Sequence, residues 1–270
     1  VRGVREERAC FLAAPGLECL MRRLILITCL VVPPLAVLLG WLWAGAWALA
    51  ILLLPAGLYL WATLNPQCDW WGPVMNSFPT RHREVLLTFD DGPDPEETPL
   101  ILDLLDAQQA KGLFFITGSR ACEHPALVQE IVARGHAIGV QPMHYLPSSF
   151  WRLPPEAMKQ EIAATLTALH GLLPDHELRW FRAPGGRRNH WLDPQLAHYG
   201  LTLMGCSACD DGLKMRSFDD TVIRLRHDID LGGLVCLHHG QTDRSGERTL
   251  IPLVEELLLW LRGQGYKLGE

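Results

Sequence analysis

The segment Val85-Leu86-Leu87-Thr88-Phe89-Asp90-Asp91-Gly92-Pro93 joins an apolar run to an abruptly polar turn. Its first five residues favour a strand buried on both faces, because apolar and β-branched side chains follow one another without polar alternation. Asp, Gly and Pro also favour ordinary turns, so a plain turn is one interpretation of the remainder. The other is a functional site, since two adjacent carboxylates in one cleft raise the pKa of one partner and supply a candidate base.

Short apolar runs continue to alternate with helical periodicity from this segment to the end of the chain. We expect a mainly parallel sheet, because strands that alternate with helices are joined by crossover connections. About seven such units fit within residues 85–270. The sequence therefore predicts an α/β fold, an irregular (β/α) barrel of about seven strands, with a doubly wound open sheet as the alternative.

Polar side chains follow five of these predicted strands. Because the carboxyl ends of parallel strands meet at one face of a β/α fold, we expect these side chains to form one site. After Asp90 and Asp91, the residues concerned are Gln141 and His144, Arg182, Cys206, Cys209, Asp210 and Asp211, and finally His238 and His239.

The residue types at these positions favour hydrolytic chemistry. A metal held by one aspartate leaves the other free as a general base, and Arg182 is suited to orient a carboxylate. Backbone amides around Gly185 are expected to face the substrate. His238 is a candidate general acid, because the pKa of imidazole lies near neutrality. Cys206 and Cys209 form a Cys-x-x-Cys pair, but we expect neither zinc nor redox chemistry there without partner cysteines.

An uncharged and strongly apolar stretch precedes the domain. From Leu24 to Cys68 there are 45 residues with no charged side chain, which is too long for one span. Since one transmembrane helix takes about 20 residues, the sequence predicts a transmembrane hairpin of two helices over 24–64 and a linker over 65–84. A cleaved signal peptide is the alternative. Tryptophans typical of aromatic belts are Trp41, Trp43 and Trp47 at one predicted interface and Trp61, Trp70 and Trp71 at the other.

Charge predicts the orientation of this hairpin. Arginines lie before the first span and after the second, so the positive-inside rule places the domain on the cytoplasmic side of the plasma membrane. Residues 1–23 form a tail with five arginines and three glutamates, and we expect translation to start at Met21 within it. The tail has a net charge of +2 in a chain of −6, so the remainder carries −8. Such acidity argues against nucleic acid as a partner.

Together these motifs resemble those of the polysaccharide deacetylase family, also called the NodB-homology family or carbohydrate esterase family 4. The resemblance is carried by Thr88-Phe89-Asp90-Asp91-Gly92-Pro93, Gly135-His136-Ala137-Ile138-Gly139, Arg182-x-Pro184-x-Gly186 and Leu237-His238. It implies an irregular β/α barrel with a divalent metal, often zinc, that hydrolyses an N-acetyl or other small acyl group on a sugar. It also implies roles for Asp90 as base, Asp91 as metal ligand, Arg182 as partner of Asp90, His238 as acid, and the backbone near Gly185 at the oxyanion.

Several positions depart from the family pattern. The second motif of the family has two histidine metal ligands four residues apart, and here those positions are Gln141 and Tyr145. A neutral amide binds zinc poorly and a phenol must first lose its proton. The sequence therefore predicts zinc that is weakly bound or absent, with His144 as a substitute ligand beside Asp91. The fourth motif lacks a clear match to the aspartate that tunes the acid, and His239 replaces an aspartate in the fifth.

The function expected from this resemblance is that of a membrane-tethered carbohydrate deacetylase. A membrane-proximal domain suits a lipid-linked sugar as substrate. The altered ligands leave open a pseudoenzyme of the same fold, which binds glycans or acts as a scaffold. A glycosidase that uses Asp90 and Asp91 without a metal is a third interpretation, but its carboxyl groups should lie at least about 5 Å apart on facing sides of the sugar.

Overall fold

The computed structural model describes residues 15–42, 46–210, 217–242 and 246–269. The tail before Pro15, residues 43–45 within the predicted hairpin and Asp211 lie outside the described residues. The α-helices are α1 (Pro15–Leu42), α2 (Ala46–Leu64), α3 (Glu97–Ala107), α4 (Gly118–Glu123), α5 (Pro125–Ala133), α6 (Pro155–Leu172), α7 (Leu192–His198), α8 (Phe218–Asp228) and α9 (Leu250–Gly263). The strands are β1 (Glu84–Gly92), β2 (Gly112–Ile116), β3 (Ala137–Val140), β4 (Trp180–Phe181), β5 (Thr202–Leu203), β6 (Ala208–Cys209), β7 (Gly233–His238) and β8 (Lys267–Leu268).

The described strands form one sheet in which all pairs are parallel. Seven strands lie side by side in the order β5-β4-β3-β2-β1-β7-β6, and β8 pairs with the beginning of β1. This is the cyclic order of a barrel that is open between β5 and β6. The predicted barrel is therefore confirmed as a half-barrel of seven parallel strands. The doubly wound alternative is wrong, because it requires the strand order to reverse at a switch point.

Strand β1 lies between β2 and β7 and positions the first acidic residues. Val85, Leu87 and Phe89 are buried, and Phe89 stacks on Phe114 of β2 with ring centroids 4.7 Å apart. Its register with β7 places Asp90 beside His238. Asp91 then adopts a left-handed backbone conformation with φ of 61°. The two adjacent aspartates therefore leave the strand at its carboxyl end in different directions.

Amphipathic helices cover the sheet. Helix α9 shows the pattern most clearly. The side chain of Leu259 on its outer face is 57% exposed, while the residues on its inner face, which are mostly three or four positions apart from one another, are buried. The buried face consists of Leu250, Leu253, Val254, Leu257, Leu258 and Leu261. Burying one such leucine contributes about 1.5–3 kcal/mol to folding. This face packs α9 against α3, α8 and β8.

The two N-terminal helices pack against each other, but they differ as candidate membrane spans. The segment Arg22–Gly40 of α1 is long and apolar enough to cross a membrane, as an anchor or a signal sequence. The apolar part of α2, Leu49–Leu64, is shorter than a full span. The structure therefore gives one qualifying span among the described residues, where the sequence predicted two.

The predicted linker is part of the folded domain. The amide of Met75 donates to Leu203 and the amide of Phe78 donates to Gly232, so this segment crosses the opening of the half-barrel from β5 toward β7. Trp71, predicted to lie in an aromatic belt, is instead buried against Tyr59. These contacts join the end of α2 to the sheet, and the folded unit therefore begins before residue 85.

Candidate active site

Asp90 and Arg182 form a buried ion pair at the carboxyl ends of β1 and β4. The Asp90 and Arg182 side chains are each only 5% exposed, and Arg182 Nη1 donates to Asp90 Oδ1 over 2.7 Å. Arg182 also donates to the Thr88 hydroxyl at 2.6 Å and to the Gly205 carbonyl at 2.7 Å. Its Nε donates to the Met204 carbonyl at 3.4 Å, so four acceptors fix the guanidinium and the carboxylate of Asp90 is held in one orientation. This is the partnership that the family resemblance implies for these residues.

His238 at the end of β7 is held by Asp210, a residue that the sequence analysis did not match to a motif. His238 Nδ1 lies 2.5 Å from Asp210 Oδ1, and the His238 amide donates to Asp210 Oδ2 over 2.9 Å. Burial lowers the pKa of His238, but the charge of Asp210 and its hydrogen bond outweigh burial, so the pKa stands well above its ordinary value. The useful sequence signal was the position of Asp210 directly after a short strand.

The two pairs face each other. His238 Nε2 lies 3.8 Å from Asp90 Oδ2, and the His238 side chain remains 17% exposed. An acceptor for one proton and a donor of another therefore lie side by side at the open end of the half-barrel. This arrangement suits general acid–base hydrolysis, in which water loses a proton and a leaving group gains one.

Asp91 lies in a different network from Asp90. Gln141 Nε2 donates to Asp91 Oδ1 over 3.2 Å, while Gln141 Oε1 accepts from the Asp91 amide at 3.0 Å and from the Thr117 hydroxyl at 3.1 Å. The Tyr145 hydroxyl also hydrogen-bonds to Asp91. Burial, followed by the charge of Asp90, raises the pKa of Asp91 from 3.8 to about 6.

This network does not fit the divalent metal that the family resemblance implies. The amide of Gln141 and the phenol of Tyr145 occupy the positions of the two imidazole ligands, and both donate hydrogen bonds to Asp91. Burial raises the pKa of Tyr145, which makes the phenolate ligand still harder to form. A lone carboxylate with two neutral donors lacks the nitrogen and sulfur ligands that zinc prefers.

His144 does not replace the missing ligands. Its Nδ1 lies 2.9 Å from Glu161 Oε1, its amide donates to Glu161 Oε2, and its side chain is 65% exposed. No group of candidate ligands among the described residues contains His144 or Asp91. The loop after β3 turns His144 toward α6 and Tyr145 toward Asp91, so this arrangement does not bring His144 and Asp91 together, and their sharing of a metal stays a prediction.

His239 and Gly185 border the site in different ways. His239 is buried, with Nδ1 2.8 Å from the Asp90 carbonyl and Nε2 3.1 Å from the Thr98 hydroxyl. Burial lowers the pKa of His239 to about 4, so this ring is neutral and serves the structure. Gly185 lies in an exposed turn with φ of 60°, directly after Arg182 and Pro184. Its predicted contact with substrate stays a prediction.

A cluster of three cysteines adjoins the acid–base pairs. The Sγ atoms of Cys206, Cys209 and Cys236 all lie within 4.8 Å of one another. Cys236 Sγ is 3.4 Å from Asp90 Oδ2 and 3.8 Å from His238 Nε2. The expectation that the Cys-x-x-Cys pair has no partner cysteine is wrong, because the parallel pairing of β6 with β7 places Cys236 beside Cys209.

The raised pKa of Asp91 predicts how stability depends on pH. Since the folded pKa of about 6 exceeds the ordinary value of 3.8, the contribution of Asp91 is fully present below about pH 4 and is lost as the pH rises through 6. Asn tolerates the same left-handed backbone. We therefore expect Asp91→Asn to increase the free energy of unfolding at pH 8 by up to about 3 kcal/mol, and to have no such effect below about pH 4.

Denaturant unfolding of the full chain in detergent across pH 3–8 measures this effect. His144→Ala is the matched control, because His144 contacts Glu161 rather than Asp91. A lower stability of Asp91→Asn at pH 8, seen only with zinc added, would contradict the assignment of Asp91 to a metal-free network.

Known proteins resemble this chain in sequence and in fold. The profile of the family described as polysaccharide deacetylase matches residues 78–204. A peptidoglycan-N-acetylglucosamine deacetylase of Bacillus cereus is 29% identical over 206 residues, which cover 76% of this chain and 93% of that protein. A chitooligosaccharide deacetylase of a Bradyrhizobium species is 27% identical over 194 residues, which cover 69% of this chain and 88% of that protein.

A solved structure gives the same result for the fold. The structure is that of a carbohydrate esterase family 4 pseudoenzyme from Bacillus anthracis, in a mutant form with restored enzymatic activity. It superposes on this chain with a TM-score of 0.64 at 20% identity. The match covers 73% of this chain and 69% of that one. The profile match runs from the linker to the end of β5, and the curated relatives align over at least two thirds of the chain. We conclude that the chain contains, over residues 78–204, a domain of the polysaccharide deacetylase family.

Proposed function

We propose that this protein is a membrane-tethered carbohydrate deacetylase, which removes the acetyl group from N-acetylglucosamine units. The proposal rests on one observation: Asp90 and His238 face each other, and each is held by a hydrogen-bonded partner of opposite charge, Arg182 for Asp90 and Asp210 for His238. A buried structural ion pair explains the first contact alone. It does not explain a partly exposed, strongly basic imidazole 3.8 Å from the same carboxylate.

Each step of amide hydrolysis has a group to perform it. Asp90 accepts a proton from water as the water oxygen attacks the carbonyl carbon. His238, kept protonated by Asp210, donates a proton to the departing sugar nitrogen as the C–N bond breaks. Acetate and a free amine are the products. Backbone amides near Gly185 are the available donors for the developing oxyanion.

Contacts between α2 and the active-site face support a substrate near the membrane. The loop after Arg182 lies at the carboxyl end of β4, and it packs against the end of α2. Arg188 donates its amide to the Thr63 carbonyl over 3.1 Å, and His190 Nδ1 lies 3.0 Å from the Tyr59 hydroxyl. The open end of the half-barrel is thus anchored beside the apolar helices, where a lipid-linked sugar would reach it.

The membrane proposal includes both apolar helices and an orientation. We infer that α1 and α2 form a two-pass hairpin and that the domain lies on the cytoplasmic side. The support is the packing of α1 on α2 and the arginines at both ends of the apolar stretch. A membrane-impermeant thiol reagent should label the exposed Cys122 only after cells are opened. Labelling of Cys122 in intact cells would overturn the orientation.

A pseudoenzyme is the second candidate, and one observation favours it. The family's two imidazole positions are an amide and a phenol that hydrogen-bond to Asp91 instead of binding a cation. In this case the half-barrel binds a glycan without hydrolysing it. The two candidates share fold and ligand class and differ in whether acetate is released.

Mass spectrometry of treated sugar oligomers distinguishes the candidates. The full chain in detergent is incubated with N-acetylglucosamine oligomers and with peptidoglycan fragments, and each hydrolysed acetyl group lowers the product mass by one C2H2O unit. If the protein is a deacetylase, we expect this decrease in mass for at least one substrate. Oligomers that bind but never lose acetyl groups would establish the pseudoenzyme in its place.

A further inference from the structure

The three cysteines near Asp90 are brought together by the sheet rather than by the sequence. Cys209 and Cys236 are partners in the parallel register of β6 and β7, so their side chains lie on the same face. Cys206 lies in the short bend before β6, and its sulfur lies within 4.8 Å of the other two sulfurs. Cys236 and His238 are two residues apart on β7 and therefore share that face as well.

The distances match those of a soft metal site. Zinc–thiolate bonds of about 2.3 Å place the sulfurs of a tetrahedral site about 3.8 Å apart. The Sγ atoms of Cys206, Cys209 and Cys236 already lie within 4.8 Å of one another, and His238 Nε2 lies 3.8 Å from Cys236 Sγ. A reduction of the sulfur–sulfur distances by about 1 Å is sufficient to bring the three sulfurs to this spacing. The sulfurs are reduced, with no disulfide among them.

The surroundings also suit a bound cation. Histidines that bind zinc almost always pair their other ring nitrogen with a carboxylate, which orients the ring. His238 has this arrangement, since its Nδ1 is paired with Asp210 and its Nε2 lies 3.8 Å from Cys236 Sγ. Three thiolates around one divalent ion leave a net negative charge, and the Arg182 guanidinium, bonded to the Gly205 carbonyl beside Cys206, offsets it.

We propose that Cys206, Cys209 and Cys236 bind one zinc ion as thiolates, with His238 Nε2 as the fourth ligand. On binding, the protons carried by the thiols and by the imidazolium pass to solvent, and no electron transfer is involved. This site uses different residues from Asp91, Gln141 and Tyr145. It goes beyond the proposed function, because a zinc-bound His238 no longer donates a proton and the loaded protein is held inactive.

Cadmium titration of the metal-stripped full chain in detergent tests the site without measuring activity. Thiolate-to-cadmium charge-transfer absorption should rise to saturation at one ion per chain. Asp210→Asn should weaken binding by roughly 10–100-fold, as expected for the hydrogen-bond partner of a ligand, and Cys209→Ser should weaken it further. Cys122→Ser, an exposed cysteine elsewhere, and Asp91→Asn should leave it unchanged. An unchanged affinity in Cys209→Ser, or a loss of binding in Asp91→Asn, would overturn the proposal.

A second measurement avoids the question of whether the variants fold. Zinc should protect Cys206, Cys209 and Cys236 of the unmodified protein from alkylation while Cys122 reacts, and a chelator should remove the protection. Equal alkylation with and without zinc, or a disulfide between Cys206 and Cys209, would reject the site. If the cysteine site binds zinc but the metal-stripped protein releases no acetate from sugars, the proposed function is rejected while the zinc site stands.

Discussion

His238→Gln is expected to lower kcat for acetyl hydrolysis by about 10²–10⁴-fold, because it removes the group that protonates the leaving nitrogen. The amide side chain retains hydrogen-bonding capacity toward Asp210, so the loop after β7 should keep its conformation. The KM for a sugar oligomer should change much less than kcat. The measurement is a steady-state rate of acetate release by metal-stripped protein, and a kcat within about twofold of the unmodified protein would reject the acid role.

Asp210→Asn tests the support of His238 and has a separate signature. Asp210 raises the pKa of His238, so the protonated acid persists to higher pH in the unmodified protein. Without the carboxylate, the alkaline limb of the kcat profile should move to lower pH. A merely structural role would lower the rate at every pH and leave the limb in place. Asp220→Asn, on an exposed face of α8, is a matched carboxylate control.

The double substitution Gln141→His and Tyr145→His is expected to create a metal site that the protein now lacks. It restores two imidazoles four residues apart beside Asp91, in place of an amide and a phenol that only hydrogen-bond to it. In a Cys209→Ser background, where the cysteine cluster is disabled, zinc content should rise from near zero to one ion per chain.

Two variants define the outcome of that experiment. Adding Asp91→Asn to the double substitution should remove the new ion, because the restored site has no other carboxylate ligand. Gln141→His alone, with the existing His144 as the second imidazole, is not expected to form this site, because the His144 side chain contacts Glu161. A double variant that folds, as judged by its thermal unfolding, and still holds no zinc would show that more than these two ligands is missing.

The half-barrel follows from patterns that are local in the sequence. The unbroken apolar run before Asp90 predicts a buried strand, and its alternation with helices predicts parallel pairing. The pairing of Met75 with β5 was not predictable in this way, because the segment has neither strand periodicity nor a helical neighbour. It is explained by the gap between β5 and β6, which exposes backbone groups that need partners.

The site was predictable to the extent that each residue directly follows a strand. Asp90, Arg182 and His238 do so, and the structure brings them together. The sequence alone does not place His144, because the conformation of a loop decides which of two adjacent side chains, His144 or Tyr145, faces Asp91. Cys236 was missed because it lies within an apolar strand, 27 positions after Cys209, and only the strand register makes them neighbours.

Catalysis by Asp90 is tested by the rate of acetate release from an N-acetylglucosamine oligomer, measured for the full chain and for its Asp90→Asn variant. This substitution keeps the size of the side chain and removes the base. We expect hydrolysis by the unmodified protein and a rate lower by about 10²–10⁴-fold in the variant. Equal rates in the two proteins, or no acetate from either after metal removal, would contradict it.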